Sequence, residues 1–303
     1  MIHPRIAARL FNAPLLVHPG KAASILHGLG GRILGSNIEF SGPEAIAHIA
    51  FDNRSPRIGT VGDRLGRRVA ANGGRPYDMV GSIAIIPIEG SLIHKGSFLE
   101  SNSGETSYQG IQTQVVTAAR DPQVKGVVLE VDSFGGEVSG AFETSDMIHS
   151  LSKLKPTLAI LSDHAYSSGY LMASAATSII IPESGGCGSI GVITMHTDMS
   201  AAIEASGIKV TILSAGQHKA DGNPFEPLPE GVAATIRAEI ESVREVFAGR
   251  VATYRGSRFS FQDAMATEAQ VYSGSDAVAA GMADATGHPS DAFEAFVALI
   301  NRA

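Results

Sequence analysis

The residues best suited to chemistry in this chain are two adjacent serines in Ala165-Tyr166-Ser167-Ser168-Gly169-Tyr170. Thr157 to Leu161 before them reads as a short buried strand, Asp163-His164 supplies polar turn residues, and Leu171 to Ala176 after them reads as a helix. A hydroxyl at a sharp strand-to-helix turn is held out of the sheet, where the first free N–H groups of the helix can face the atom it attacks. No residue from Ser167 to Ile181 is charged, which predicts a helix covered on nearly all sides. The same hydroxyls would also serve as helix caps, so these residues alone leave both readings open.

A serine nucleophile needs a base. Lys219 and His218 stand on a Gly- and Pro-rich loop, Ser214 to Pro229, with Lys219 52 residues after Ser167. Spacing alone leaves Lys219 an ordinary exposed lysine. Asp132-Ser133-Phe134-Gly135-Gly136-Glu137 ends a predicted strand with adjacent glycines, which let backbone N–H groups approach a ligand or simply make a tight turn. Other chemistries find less support. The ten histidines are scattered without a His-Glu-x-x-His pair, and the lone Cys187 can build neither a disulfide nor a thiolate metal cluster. Ser-x-x-Lys occurs at Ser150, Ser152 and Ser206 without its companion triplets, and Gly28 to Arg32 reads as a helix stop rather than a phosphate loop.

The elements that must position these groups alternate between strand and helix. Ile83 to Ile88, Val124 to Val131, Thr157 to Leu161, Ser178 to Pro182 and Lys209 to Leu213 read as strands. Helices are expected over Gln109 to Ala119, up to about Leu154, near Asp198 to Ser206, and in short pieces after Phe261 and Ser275, with a last one from Ser290 to about Ile300. Val232, Ile236, Ile240, Val243, Phe247 and Val251 mark one stripe of a long amphipathic helix. Such alternation with buried strands predicts an α/β fold with a largely parallel sheet. Residues 1–53 read as a small helical N-terminal region, 54–78 as an Arg/Gly-rich linker, and 79–303 as the main domain. His94 to Tyr108 reads as a polar surface loop able to move over a site.

With 303 residues and 44% hydrophobic content the chain can bury a sizeable core. A net charge of -7 gives no reason to expect nucleic acid. No apolar run reaches the ~20 residues of a membrane helix, and the N-terminus lacks a secretion signal's apolar core, so the expectation is a cytoplasmic protein without a membrane anchor.

Ser167-Ser-Gly-Tyr after a strand, Gly188-Ser-Ile-Gly-Val192 and Ser214-Ala-Gly-Gln-His-Lys219, in this order and spacing, resemble the signal peptide peptidase A family of Ser-Lys proteases. The continuation Lys219-Ala-Asp-Gly-Asn-Pro-Phe225 and the opening Phe11-Asn-Ala-Pro14 resemble more narrowly that family's phage capsid-assembly branch. The resemblance covers about Met79 to Asp284. It implies a Clp-protease/crotonase-like fold of repeated strand-strand-helix units, with Ser167 as nucleophile and Lys219 as general base. It also implies an oxyanion hole from the N–H groups of Gly136 and Ser168, and a substrate groove including Gly135, Gly188 and Ser189. Phe134 stands where the family's turn carries proline. No cofactor or metal is implied. The implied partners are protein substrates (scaffold, portal or capsid proteins) and further copies of the chain, inside a procapsid in the host cytoplasm. The anchored members' N-terminal apolar helix is missing here, which argues against clearing signal peptides from a bilayer. The phage branch's scaffold extension is expected as a separate protein or beyond this sequence.

A lysine with an ordinary pKa of ~10.4 must act near neutrality as an amine, which demands burial. Lys219 is therefore expected to be buried in the assembled site, with a neighbouring protomer helping to cover or supply it. Two other readings stand beside this one: an acyl-CoA hydratase or thioesterase on the crotonase fold, and a non-catalytic capsid or scaffold-binding protein.

Overall fold

The computed structural model describes residues 13–19, 22, 73–95 and 105–302. Most of the expected N-terminal region and linker, and the middle of the loop after His94, lie outside these residues. Within the described part of the N-terminal region Leu15–Val17 form a strand, β1, of three buried residues, and Pro19 and Ala22 after it are helical. Beyond the linker, β2 (Asp78–Val80) and β3 (Ile83–Ile93) lead to β4 (Glu105–Ser107) and helix α1 (Tyr108–Arg120). Arg75, last of the arginines in the expected linker, is tied down by Asp121 at 2.6 Å.

Next come β5 (Gly126–Glu137), α2 (Ala141–Ser152), β6 (Thr157–Tyr166), α3 (Ser168–Ser174), β7 (Ser178–Ile181) and β8 (Gly186–Gly188). The C-terminal part holds α4 (Ser200–Ala205), α5 (Glu230–Arg255), α6 (Phe261–Ala266), β9 (Val271–Ser273), α7 (Gly274–Ala279), β10 (Ala285–Thr286) and α8 (Pro289–Arg302). No described helix is long and apolar enough to cross a membrane.

The sheet runs β10-β7-β6-β5-β3-β2, parallel except for the last pair. Near-continuous apolar runs such as Gly126 to Leu129 suit strands covered on both faces. One face and its helices form the main core around Ile86, Leu129, Leu161 and Leu171, while Phe296 and Ile300 of α8 cover Ile83, Val128 and Ile160 on the other.

The long strands do two jobs. Register shifts at Gly90/Ser91 in β3 and Val131/Ser133 in β5 bend their C-terminal halves away from the main sheet. There β4 joins β3, β1 joins β5, and β8 joins β6. The parallel order and the strand-strand-helix units expected from the sequence are present, and the bends deliver Ser133 to Glu137 and His164 to Ser167 to one place.

One expected strand is not formed. Lys209 to Leu213 has no regular secondary structure and pairs with nothing in the described chain, and its residues are exposed. Alternating apolar residues favour a strand only where a neighbouring strand accepts the hydrogen bonds, and none is at hand.

Candidate active site

Ser167 sits where β6 hands over to α3. It has φ 53 and ψ -121, on the positive-φ side that a residue with a Cβ rarely adopts. Its N–H donates to the Gly188 carbonyl at 2.8 Å, and its own carbonyl accepts the first helical bond, from Leu171 at 3.0 Å. The side chain makes no capping bond, so the cap reading fails. Ser167 is fully buried and its Oγ has no hydrogen-bond partner among the described residues. A hydroxyl left buried and unpaired costs about 1–3 kcal/mol, so the position calls for an explanation beyond packing.

The helix behind it is as apolar as its composition predicts, with every residue of α3 buried. Tyr170 anchors it by donating to the Met282 carbonyl at 2.9 Å, and burial pushes that phenol's pKa far up, so it stays neutral. Gly169 allows close approach to β5: a Cβ there would lie 2.8 Å from the Ser133 carbonyl oxygen.

Gly135 lies against this serine, and Gly136 follows it in the turn. A Cβ on Gly136 would fall 1.8 Å from the Leu92 carbonyl oxygen, and one on Gly135 would fall 3.0 Å from Ser167 Cβ. Gly135 also has φ 94, so both positions exclude any side chain. Ser133 secures the turn: its Oγ donates to the Gly90 carbonyl at 2.7 Å and accepts the Gly135 N–H at 3.1 Å. The bond from Gly135 leaves Gly136 as the next N–H along the turn. The Ser168 N–H, first in its helix, has no intrahelical acceptor. Phe134, where the family's turn carries proline, fits by packing its ring edge-on against Tyr166 and His164, with centroids 5.6 and 5.3 Å apart.

Gly188 and Ser189 form the wall beside the serine. Both have positive φ, 111 and 56, and the Ser189 N–H donates to the Gln270 carbonyl at 3.0 Å. Cys187 between the glycines is buried, and burial pushes its thiol up to about 12, which makes it an inert packing residue.

Lys219 is elsewhere in character. It lies on an exposed loop and makes no bond to Ser167 Oγ. His218 is 79% exposed and pairs with Asp221 at 2.9 Å. The loop is held to the body through Asn223, whose carbonyl meets His196 Nε2 at 2.9 Å. It forms one wall of a cleft of about 790 Å³, reached by His218 and Asp221 on one side and Pro14 and Thr194 on the other. The single chain thus brings together Ser167, Ser168, Gly135, Gly136, Gly188 and Ser189, and leaves Lys219 apart.

Sequence reasoning missed two participants. Ser133 was visible as part of the glycine turn, but its role depends on a bend in β3 that no local pattern announces. β1 was hidden because three apolar residues after a proline carry no periodicity, and its pairing partner is more than a hundred residues away.

A buried serine on a strained turn beside adjacent glycines is an arrangement that serine hydrolases with a backbone oxyanion hole also use. Residues 149–301 match the model of Peptidase family S49, and the chain belongs to that family. Capsid assembly protease C of Escherichia phage lambda is 36% identical over 296 residues, covering 95% of this chain and 64% of its own length. This chain therefore spans somewhat under two thirds of that relative. Similar solved structures include an enoyl-CoA hydratase/isomerase family member (TM-score 0.41, 17% identity, 75% of this chain and 74% of that one). Another is a mutant ClpP1 from Listeria monocytogenes (TM-score 0.40, 14% identity, 68% and 92%).

Proposed function

We propose that this chain is a serine endopeptidase with a Ser-Lys dyad that cleaves scaffold, portal or capsid proteins during phage head assembly, inside the procapsid. The observation that carries the reading is Ser167 itself: buried, strained, unpaired, and set against the Gly135-Gly136 turn. In this mechanism Ser167 Oγ attacks a peptide carbonyl and gives its proton to the Lys219 amine. The N–H groups of Gly136 and Ser168 receive the oxyanion, and the lysine returns the proton to the leaving nitrogen. Water then hydrolyses the acyl-enzyme.

The base comes from assembly. The segment bearing Lys219 exposes Ile208, Val210 and Ile212 at alternate positions, and Leu213 at 93%, an apolar strip suited to pairing with another copy. Pairing would remove water from the lysine and bring it to a serine, in its own chain or a neighbour's.

The test is cleavage of the scaffold and portal proteins encoded beside this chain, read by sequencing new termini. Ser167→Ala and Lys219→Ala are each expected to abolish it, by roughly 10³-fold or more, whereas Ser168→Ala keeps its N–H and retains most activity. Activity in Lys219→Ala with none in His218→Ala makes the base a histidine. Full activity from a species that runs as a monomer on gel filtration removes the role given to assembly.

A further inference from the structure

The nucleophile is buried because the chain's own N-terminal strand lies across it. β1 runs antiparallel to the glycine turn, with Leu15 opposite Glu137, Leu16 opposite Gly136 and Val17 opposite Gly135. Its other edge is held too: the Leu15 N–H donates to the Ile193 carbonyl at 2.8 Å, and the Ile193 N–H returns a bond to Leu15 at 3.0 Å. A strand clasped from both sides in the groove beside a serine nucleophile is how an extended peptide substrate is held.

The register singles out one bond. The His18 N–H donates to the Phe134 carbonyl at 2.9 Å, and hydrogen-bonded pairs alternate along an antiparallel ladder. The next such pair is Leu16 with Gly136, so the Leu16 carbonyl receives the N–H assigned to the oxyanion hole. Ser168 Oγ also donates to the Leu16 oxygen, at 3.3 Å. A Cβ built on Gly135 would lie 2.1 Å from that oxygen and 3.0 Å from Ser167 Cβ, which puts carbonyl and nucleophile on either side of one small space. The side chains on this strand fill apolar pockets: Leu15, Leu16 and Val17 are 3%, 0% and 7% exposed.

We infer that residues 14–18 are the chain's own first substrate and that Ser167 cuts the Leu16–Val17 peptide bond. The inference rests on Ser167 being the nucleophile and adds the substrate class: an extended segment with apolar residues on both sides of the cut. As the bond forms between Ser167 Oγ and the Leu16 carbonyl carbon, the hydroxyl proton passes to the lysine amine. The Leu16–Val17 C–N bond then breaks, and the proton goes to the Val17 nitrogen. Water hydrolyses the Leu16 ester, leaving a carboxylic acid on Leu16 and free Ser167. Until the lysine arrives, the bond is held but uncut. Pro14, at the rim of the cleft that His218 and Asp221 also line, puts the lysine loop at the entry of this strand.

The experiment follows the full chain at concentrations where it degrades casein, by intact mass and N-terminal sequencing. A new terminus at Val17 is expected in the wild type and none in Ser167→Ala. Leu16→Asp, which would place a carboxylate in a fully buried pocket, is expected to slow the cut by roughly a hundredfold or more. Casein turnover with the Leu16–Val17 bond intact overturns the inference and leaves the protease reading standing. Faster casein turnover by a chain lacking residues through Val17, with the full chain uncut, overturns it in favour of β1 as a plug. Failure of both casein and self-cleavage overturns the two readings together.

Discussion

The two halves of the proposed dyad live in opposite surroundings. Ser167 is fixed by a parallel sheet, an entirely buried helix and two glycine turns, whereas Lys219 rides an exposed segment between β8 and α5 with few contacts to the body. α5 shows the transition within one helix: Phe247, Ala248 and Val251 are buried, while Val232, Ile236 and Ile240, on the same stripe, are only half covered and line the open cleft. A site divided this way separates folding from activation. The serine half can be complete in each copy, and the reaction waits on whatever covers the lysine half.

If that division is real, damage to the body must cost far more stability than damage to the arm. The largest effect is expected at the clamp under α3. Arg255, fully buried, donates to Asp284 at 2.9 and 3.0 Å and to the Gly281 carbonyl at 3.1 and 2.9 Å, and Asp284 in turn accepts the Ile179 N–H of β7 at 2.7 Å. Asp284→Asn strands the guanidinium and should destabilise by about 3–5 kcal/mol in urea unfolding. Burial pushes the Asp284 carboxyl up, but the Arg255 bond and charge outweigh it and hold the pKa below the ordinary carboxylate value. Its contribution is therefore complete above the unfolded pKa of about 3.9 and lost as pH falls through the lower folded value. The variant should lack that part of the acid-side loss. An effect under ~1 kcal/mol would mean the body is not the rigid half.

What was legible in the sequence follows the same division. The strands from Ile83 to Ile181 and the apolar helix after Ser167 were readable because burial on both faces writes itself as uninterrupted apolar residues. The long stripe from Val232 to Val251 gave α5, though not how far it is covered, since periodicity reports a face and not what meets it. Lys209 to Leu213 carries a strand pattern but forms no strand, because a ladder needs a partner and none of the described residues supplies one. The serine and its glycines were recognisable as a motif. The strand that fills their groove was not, because register between distant segments is set by bends at Gly90 and Val131 rather than by local composition.

A smaller effect is expected at Ser133, which is structural to the turn yet one bond from the proposed oxyanion hole. Ser133→Ala removes the part-buried bond to the Gly90 carbonyl and the buried one from the Gly135 N–H, and should cost about 1–3 kcal/mol in thermal or denaturant unfolding. Because Gly136 then loses its fixed direction, kcat should fall more than KM rises for any peptide substrate. Equal effects on both would assign Ser133 to folding alone.

The smallest effect on stability is expected in the arm, where it sharpens the comparison most. Leu213 is 93% exposed and contributes almost nothing to the core of its own chain, so Leu213→Ser should change the unfolding free energy by no more than about 0.5 kcal/mol. In an assembly that buries this strip, the same change removes an apolar contact between copies. Gel filtration should then shift toward smaller species, and cleavage should fall in parallel while the serine half remains folded. A variant of unchanged size and undiminished activity would show that the arm is covered by its own chain. The lysine would then reach Ser167 by closure of the cleft rather than by assembly, and the difference between the two halves would be one of motion rather than of partners.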